Sequence, residues 1–364
     1  MNNFRINLVI FALIWLMLSG HAFADPYISG VNGIFDNYNN ISVSGIDFGT
    51  KSQVAPLLWD DFESGGSLGQ SVSSSSKVNW NTDGTAPKLS NEKQRGASNR
   101  NAKAVVSGSK RDGNTHDLFY KNRLDFSSGK IYINFWFRPL YNVGPDQFKF
   151  WRLCSGNGLT NHYPSIALFY TNNWDRYQLT RASSNGSAGS TMNQNYSGSY
   201  DGNWHNIILE VEPGSVNKSN GRIENWFDQT LQDADENINI LTQSGYNFST
   251  VRFGEYVQNS DKSQTIYYDN IYVDNTWSRA EICDDSDRSR VGHCEIQIPT
   301  KWSNSSITLT VNHGSFKTGQ TAYLYVVDSN GNANSKGFPI TIGGGGAPPT
   351  ASQPSPPTGL KVLE

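Results

Sequence analysis

The chain of 364 residues carries 29 Lys and Arg against 32 Asp and Glu, a formal net charge of −3 at pH 7. This mildly acidic balance lacks the basic field that general nucleic-acid binding requires, so nucleic acid is excluded as a partner. Aromatic residues make up 12% of the chain and glycine is frequent, whereas no long stretch has helical periodicity. The composition therefore predicts an all-β fold.

The first 24 residues have the pattern of a secretory signal peptide. Arg5 precedes an apolar run over residues 8–18, and Ala-Phe-Ala at 22–24 predicts cleavage before Asp25. The run is shorter than the roughly 20 residues that a membrane-spanning helix needs, and no second apolar segment follows. We therefore expect an exported protein, extracellular or periplasmic, without membrane insertion.

The middle of the chain is a series of alternating strands separated by Gly, Asn, Ser and Asp clusters. Strands are predicted at 148–154, 165–170, 176–182, 204–212, 221–232 and 265–275. Two more, at 130–141 and 251–258, are described in the next paragraph. Their number and spacing predict a two-sheet antiparallel sandwich of jelly-roll size.

Two of these strands carry a polar face that is a candidate for function. In KIYINFWFRPLY (130–141), an apolar row alternates with Asn134, Trp136 and Arg138. In VRFGEYVQ (251–258), apolar residues occupy one face and Arg252, Tyr256 and Gln258 occupy the other.

The two ends of the chain resemble halves of one domain. ISVSGIDFGTK (41–51) resembles the opening of an immunoglobulin-like IPT/TIG domain, and the segment 302–342 resembles its closing half. The resemblance implies a small Ig-like sandwich split into 25–57 and 295–343, with the central sandwich inserted between its halves. The alternative is two independent small elements that pack on the central domain.

The remaining segments are a connecting loop at 283–294 and a Gly/Pro-rich linker tail at 344–364. Cys283 and Cys294 flank the connecting loop and are candidates for a disulfide in an oxidising compartment. The alternative is that these two and Cys154 are all free thiols.

The central region, residues 58–282, resembles the concanavalin-like jelly roll shared by LamG modules, legume-type lectins and several polysaccharide lyases. The resemblance is carried by LLWDDFESG, GNWHNIILEV, GRIENWFDQTL and YYDNIYVDN. These motifs imply a fold and say little about function.

The stretch 252–258 also resembles the K-x-G-x-Y-x-Q strand of alginate-lyase-like jelly rolls, with Arg252 where Lys is usual. The resemblance implies Tyr256 as proton donor or base in β-elimination, with Arg252 and Gln258 beside the uronate carboxylate. Two other motifs of those enzymes are missing: an Arg-rich R-[ST]-E-[LF]-R strand and a Q-[IV]-H strand. The strand in place of the latter reads FKFWRLC. The lyase machinery therefore looks incomplete.

A carbohydrate-binding surface uses the same rows of residues. Sugar rings stack on Trp or Tyr, hydroxyls pair with amides, and Arg binds acidic groups. The predicted ligand-binding residues are Asn134, Trp136, Arg138, Arg152, Arg181, Arg252, Tyr256 and Gln258. The alternative is that Trp136 and Tyr256 merely lie beneath a loop or the second domain.

A structural Ca²⁺ is a further prediction. Asp61 and Glu63 lie near the start of the jelly roll and Asp269 near its end, and first and last strands are often neighbours. The alternative, with no metal or other cofactor, is that these are solvated acids at strand ends.

The leading prediction is a secreted, lectin-like protein that binds an extracellular polysaccharide. Acidic polysaccharides are among the candidate ligands. Whether it is an enzyme stays open: the first alternative is a polysaccharide lyase acting by β-elimination on a uronate polymer. The second is a structural or adhesive module, associated with the cell surface and without a ligand.

Overall fold

The computed structural model describes residues 25–75, 77–83, 86–106, 118–140, 147–156, 163–171, 177–182, 188–192, 201–258 and 263–345. At Tyr256 and Gln258 it describes the backbone alone. The predicted signal peptide and residues 346–364 of the predicted tail lie outside these ranges. Within them the chain is all-β, as predicted, apart from two short 3-10 turns at Val72–Ser74 and Arg288–Arg290.

The strands, in chain order, are β1 Tyr27–Asn32, β2 Asn40–Ile46, β3 Leu58–Asp60, β4 Asn81–Asp83, β5 Lys88–Ser90, β6 Asn101–Val106, β7 Leu118–Lys121, β8 Ile131–Leu140, β9 Gln147–Cys154, β10 Ser165–Thr171, β11 Tyr177–Ala182, β12 Ala188–Met192, β13 His205–Glu212, β14 Gly221–Phe227, β15 Thr230–Ile238, β16 Thr250–Gln258, β17 Gln264–Asp274, β18 Arg279–Cys283, β19 Cys294–Trp302, β20 Ser306–Thr310, β21 Thr321–Val327 and β22 Phe338–Thr341. No helix in the described part of the chain has the length and apolarity that crossing a membrane would require.

Two antiparallel sheets form the central sandwich. The front sheet has the order β12-β11-β10-β9-β16-β7-β4, and the back sheet has the order β15-β14-β13-β8-β17-β6-β5, with β3 also paired to β17. Alternation turns one apolar row of each strand inward, and the two inner faces interdigitate. Phe135 of the back sheet lies 5.7 Å from Trp151 and 5.3 Å from Phe253 of the front sheet, between ring centroids.

A third sheet, called here the terminal sheet, combines strands from both ends of the chain. Its order is β1-β2-β20-β19-β18-β21-β22, and β2 pairs with β20 so that Ile41 opposes Leu309. It has its own apolar core, separate from that of the sandwich. The assignment of this unit to the IPT/TIG family stays a prediction.

The connection between sandwich and terminal sheet differs from the predicted boundary at residue 282. The strand β18 pairs with β19 and β21, so residues 279–283 lie in the terminal sheet. Cys283 ends β18, Cys294 begins β19, and the two form a disulfide across the pair. The predicted connecting loop is therefore a closed loop between neighbouring strands of one sheet.

The terminal sheet packs on the outer face of the back sheet. Tyr132, Ile208 and Tyr272 of the back sheet form a buried cluster with Trp277 and with Ile296 of β19. Ion pairs cross the same contact, including Arg279 to Glu210 at 2.9 Å. The outer face of the front sheet is on the far side of the sandwich core, so the back sheet is the one that the terminal sheet covers.

Candidate active site

The predicted ligand-binding residues do not share one face. Arg152 and Arg252 oppose each other on β9 and β16 of the front sheet. Asn134, Trp136 and Arg138 lie on β8 of the back sheet. Both groups point outward from the sandwich, so its apolar core separates them. The prediction of one common surface is therefore wrong, because alternation assigns a residue to a face of its own strand and not to a sheet.

Trp136 lies in the contact with the terminal sheet. Its side chain is buried, its ring centroid is 5.1 Å from that of His293, and the guanidinium of Arg95 stacks on it at 4.4 Å. Asn134 is also buried and accepts a hydrogen bond from Asn206 at 2.8 Å. The alternative in which Trp136 lies beneath the second domain is therefore what the structure shows.

Arg138 and Arg181 also lie apart from Arg252. Arg138 opposes Tyr267 on the outer face of the back sheet. Arg181 opposes Ile166, which points into the core, and its Nε lies 3.8 Å from Asp235 Oδ2 of the back sheet. Arg181 therefore bridges the two sheets at the edge of the sandwich.

The outer face of the front sheet carries a buried ionic cluster. Arg152 Nη2 lies 2.7 Å from Glu255 Oε2, and Arg252 Nη1 lies 3.4 Å from Glu255 Oε1. Exposure of the three residues is only 7%, 5% and 6% in the order Arg152, Arg252, Glu255. The carboxylate of Glu255 thus contacts the guanidinium groups of two neighbouring strands, β9 and β16, at the same time.

Glu255 was not predicted, because simple alternation puts it on the apolar row with Phe253 and Val257. The structure has a bulge at this point: the register of β16 on β9 shifts between Phe253 and Tyr256, and Gly254 has φ of +72°. A bulge adds one residue to the strand and so turns Glu255 toward the arginines. The glycine inside the strand was the available signal.

Lys149 adds a third positive charge to the cluster. It lies on β9 between Phe148 and Phe150, which are in the core, and is half-buried. Burial raises the pKa of Glu255, but Arg152 and Arg252, with a smaller effect of Lys149, outweigh it and hold that pKa below its usual value. Glu255 is therefore ionised, and among the described side chains of the cluster three positive charges face one negative charge.

One edge of the Arg252 guanidinium is unpaired among the described residues. Its Nε and Nη2 are buried and have no hydrogen-bond partner in the part of the chain that the structure describes. These two nitrogens form the side of the guanidinium that binds a carboxylate with two parallel hydrogen bonds. Buried donors are nearly always paired, so an open pair in this position indicates a place for an anionic ligand.

Two tyrosines flank the cluster in the sheet register. Tyr120 of β7 opposes Arg252, so its side chain and that of Arg252 are on the same face. The Cα of Tyr256 is the register partner of the Cα of Lys149, and that of Gln258 is the partner of Gln147. The phenol of Tyr120 is therefore on the face of the guanidinium row.

The described histidines lie elsewhere. His205 is on β13 of the back sheet, with Nδ1 2.8 Å from Asp228 and Nε2 3.0 Å from Asp201. His293 and His313 belong to the terminal unit, where His293 lies 3.0 Å from Glu295. Tyrosine and lysine are thus the candidate proton carriers near the described cluster.

The predicted calcium ligands each have a protein partner. Asp61 pairs with Lys77 at 2.6 Å, and Glu63 accepts hydrogen bonds from two backbone amides at 2.7 Å. Burial raises the pKa of Asp269 to about 8 although Arg95 lies nearby, and a protonated carboxyl is a poor ligand. The three are not among the groups with converging ligand atoms in the described residues. The Ca²⁺ stays a prediction that this arrangement does not favour.

Among the described residues, Glu281, Cys283 and Cys294 are the group whose potential metal-ligand atoms lie close together. The two sulfurs are joined in the disulfide, so they offer no thiolates to a metal.

Comparison with known proteins places the central region in a family. The family model described as "Polysaccharide lyase" matches residues 88–272. Among solved structures, the chain is similar to an endo-β-1,4-glucuronan lyase from the fungus Trichoderma reesei, with 15% identity, a TM-score of 0.40, and coverage of 54% of this chain and 95% of that chain. No curated protein matches this chain.

Two alginate lyases are also similar in structure. Aly36B is 12% identical over 60% of this chain and 96% of that chain, with a TM-score of 0.45. The marine PL-14 alginate lyase from Aplysia kurodai is 15% identical over 60% of this chain and 98% of that chain, with a TM-score of 0.43.

The family match favours the lyase alternative over the leading prediction of a lectin. The matched segment covers just over half of the chain and contains Lys149, Arg152, Arg252 and Glu255. The chain belongs to the polysaccharide lyase family.

Proposed function

We propose that this protein is a lyase that cleaves a uronate-containing polysaccharide by β-elimination at the outer face of the front sheet. The observation that carries the proposal is the unpaired, buried edge of Arg252 in a cluster whose described side chains are three cations and one carboxylate. The family match supports the reaction class, and the charge of the cluster supports an acidic substrate.

Arg252 is the group that binds the carboxylate of the sugar at the cleavage point. In β-elimination the C5 proton leaves, a C4=C5 double bond forms, and the C4–O bond breaks. Negative charge develops on the carboxylate as the proton leaves, so a fixed guanidinium stabilises that state more than the starting one. Glu255 holds both guanidinium groups in place, and Arg152 adds positive charge beside the reacting sugar.

Tyr256 is the proposed proton carrier. Its place in the matched K-x-G-x-Y-x-Q pattern and its register with Lys149 support this role. In the proposed step the Tyr256 phenolate takes the C5 proton, and the resulting phenol then protonates the leaving oxygen. Gln258 is proposed to hydrogen-bond the same carboxylate. Tyr120, which the sequence interpretation missed, lies opposite Arg252 and contributes a phenol to this face.

Export supports access to such a polymer. We propose that residues 1–24 direct secretion, and the Cys283–Cys294 disulfide is consistent with an oxidising compartment.

The test is an assay on polyglucuronate, polymannuronate and polyguluronate, read by ultraviolet absorbance of the unsaturated product end. We expect activity on at least one polymer, and Arg252→Ala should lower kcat by roughly 10²–10³-fold because a charge-stabilising group is lost. Tyr256→Phe should abolish turnover while Tyr120→Phe retains it.

The matched control is Arg138→Ala, which removes an arginine from the outer face of the opposite sheet. It should retain activity. Inactivity of the folded protein on all three polymers, or an equal loss in Arg138→Ala and Arg252→Ala, would contradict the proposal.

A further inference from the structure

A cavity of about 440 Å³ lies between the back sheet and the terminal unit, on the opposite side of the sandwich from Arg252. Its lining residues come from β13 and β14 on one wall and from β18, the disulfide loop and the β21–β22 connection on the other. Its volume falls within the roughly 300–1,000 Å³ that small-molecule sites occupy. The catalytic proposal does not use this cavity.

The back-sheet wall combines an aromatic ring with charged groups. Ile208 opposes Trp226, and Glu210 opposes Glu224, so all four belong to the same outer face of β13 and β14. Trp226 is half-buried and lines the cavity. An indole that lines a cavity offers a flat apolar surface on which the CH face of a sugar ring can stack.

The arginines that line the cavity are all engaged in ion pairs. Arg279 pairs with Glu210 at 2.9 Å and with Glu281 at 2.7 Å, and Arg288 pairs with Glu281 at 2.7 Å. Arg222 pairs with Glu224 in the same way. Each of the three guanidinium groups that line the cavity is thus paired with at least one carboxylate, so none is left as an unpaired charge to select an ion. Paired charges still donate and accept hydrogen bonds, which suits the hydroxyl groups of a neutral sugar.

The opposite wall is built by a turn with fixed geometry. Asp328 Oδ1 accepts hydrogen bonds from the amides of Asn330 and Asn332 at 2.8 and 2.9 Å. Gly331, with φ of +90°, brings the turn so close that a Cβ there would lie 3.9 Å from Glu210. A wall that is ordered before binding lowers the entropic cost of capturing a ligand.

We infer that this cavity is a second carbohydrate-binding site, one that takes an uncharged sugar with its ring on Trp226 and its hydroxyls on the Arg–Glu pairs. The site goes beyond the proposed lyase reaction, and its chemistry differs: among the described side chains the cluster around Arg252 has three positive charges to one negative, whereas every guanidinium that lines this cavity is paired. A neutral component of a mixed polysaccharide would bind here while an acidic component occupies the front face.

The test is isothermal titration calorimetry of the full chain with cellohexaose, laminarihexaose, mannohexaose and xylohexaose, and with a glucuronate hexamer for comparison. We expect at least one neutral oligosaccharide to bind, and Trp226→Ala should weaken that binding by roughly tenfold or more. Arg252→Ala should leave it unchanged.

Two further variants keep the test decisive if Trp226→Ala folds poorly. Val291→Trp fills the cavity from the disulfide loop and leaves the Arg–Glu pairs of the cavity in place, and it should abolish binding. Tyr246→Ala removes an exposed aromatic residue outside the cavity and should have no effect.

The inference is overturned if no neutral oligosaccharide binds, if binding survives in Val291→Trp, or if Arg252→Ala removes it. Lyase activity on a soluble polyuronate should be equal in wild type and Trp226→Ala. The two proposals can therefore fail separately, because the first depends on Arg252 and the second on Trp226.

Discussion

Glu255 compensates the charges of two neighbouring arginines whose side chains are buried on the outer face of the front sheet. Its carboxylate contacts both Arg152 and Arg252, and without it the two guanidinium groups would face each other unbalanced. Removing one member of a buried ionic group is strongly destabilising, because the remaining charge is left without compensation. The same carboxylate contacts only Nη1 of Arg252 and leaves its Nε and Nη2 unpaired among the described residues.

We expect Glu255→Gln to lower the free energy of unfolding by about 3 kcal/mol near neutral pH. The pKa of Glu255 is held below its usual value, so the stability from its charge is fully present above the unfolded pKa of about 4.3 and is lost as pH falls through the folded pKa. Urea unfolding of wild type and variant at about pH 6 and about pH 3 measures this difference, which should shrink at the lower pH.

Glu92→Gln is the control, because Glu92 forms a surface pair with Lys103 at 2.6 Å and its side chain is 53% exposed. Its effect should stay within about 1 kcal/mol. A Glu255→Gln effect as small as that of the control, or one that does not decrease at low pH, would contradict the role given to Glu255.

The strand β16 shows how a local irregularity positions the cluster. Its bulge leaves the amide of Gly254 without a partner in the ladder, and this amide donates to Tyr268 Oη at 3.0 Å. Tyr268 Oη in turn donates to the carbonyl of Phe150 at 2.5 Å. A buried phenol of the back sheet thus crosses the core and anchors β16 and β9 of the front sheet.

Tyr268→Phe should therefore destabilise the protein by about 1–3 kcal/mol, since it removes two buried hydrogen bonds, one from the Gly254 amide and one to the Phe150 carbonyl. It should also lower lyase activity, because Glu255 directly follows the anchored glycine. Tyr267→Phe is the matched control: the neighbouring hydroxyl donates to the partly exposed Glu92 at 2.9 Å. Thermal unfolding and kcat of both variants check this, and equal behaviour of the two would refute the anchoring role.

The sequence indicates the strands and their inner rows well, because burial imposes a period of two along each strand. It predicts Arg252 and Arg152 as site residues, but it adds Trp136 and Arg138, whose strand belongs to the other sheet. Sheet membership depends on pairing with strands far away in the chain, which local alternation does not encode. Glu255 is missed for the opposite reason: a single bulge reverses the alternation there.

At the scale of the whole molecule, ion pairs join the sandwich to the terminal sheet. Arg95 precedes β6 of the sandwich, and its Nη1 lies 2.6 Å from Glu295 Oε1 of β19. Its Nε lies 3.5 Å from Asp269, and its guanidinium stacks on Trp136. Burial raises the pKa of Glu295, but Arg95 and His293 outweigh it and hold the carboxyl ionised. One buried cation, Arg95, therefore links the sandwich to a strand of the terminal sheet that lies 200 residues further along the chain.

Arg95→Met should lower the free energy of unfolding by about 3–5 kcal/mol, because it leaves Glu295 charged and buried without its main partner. The double variant Arg95→Met/Glu295→Gln should be less destabilised than the sum of the two single variants, since the two residues interact directly. Lys103→Met, which breaks an exposed pair, should change stability by at most about 1 kcal/mol. Differential scanning calorimetry of the four proteins and wild type measures these differences. Additive effects of the two single changes would show that Arg95 and Glu295 do not couple the sandwich to the terminal sheet.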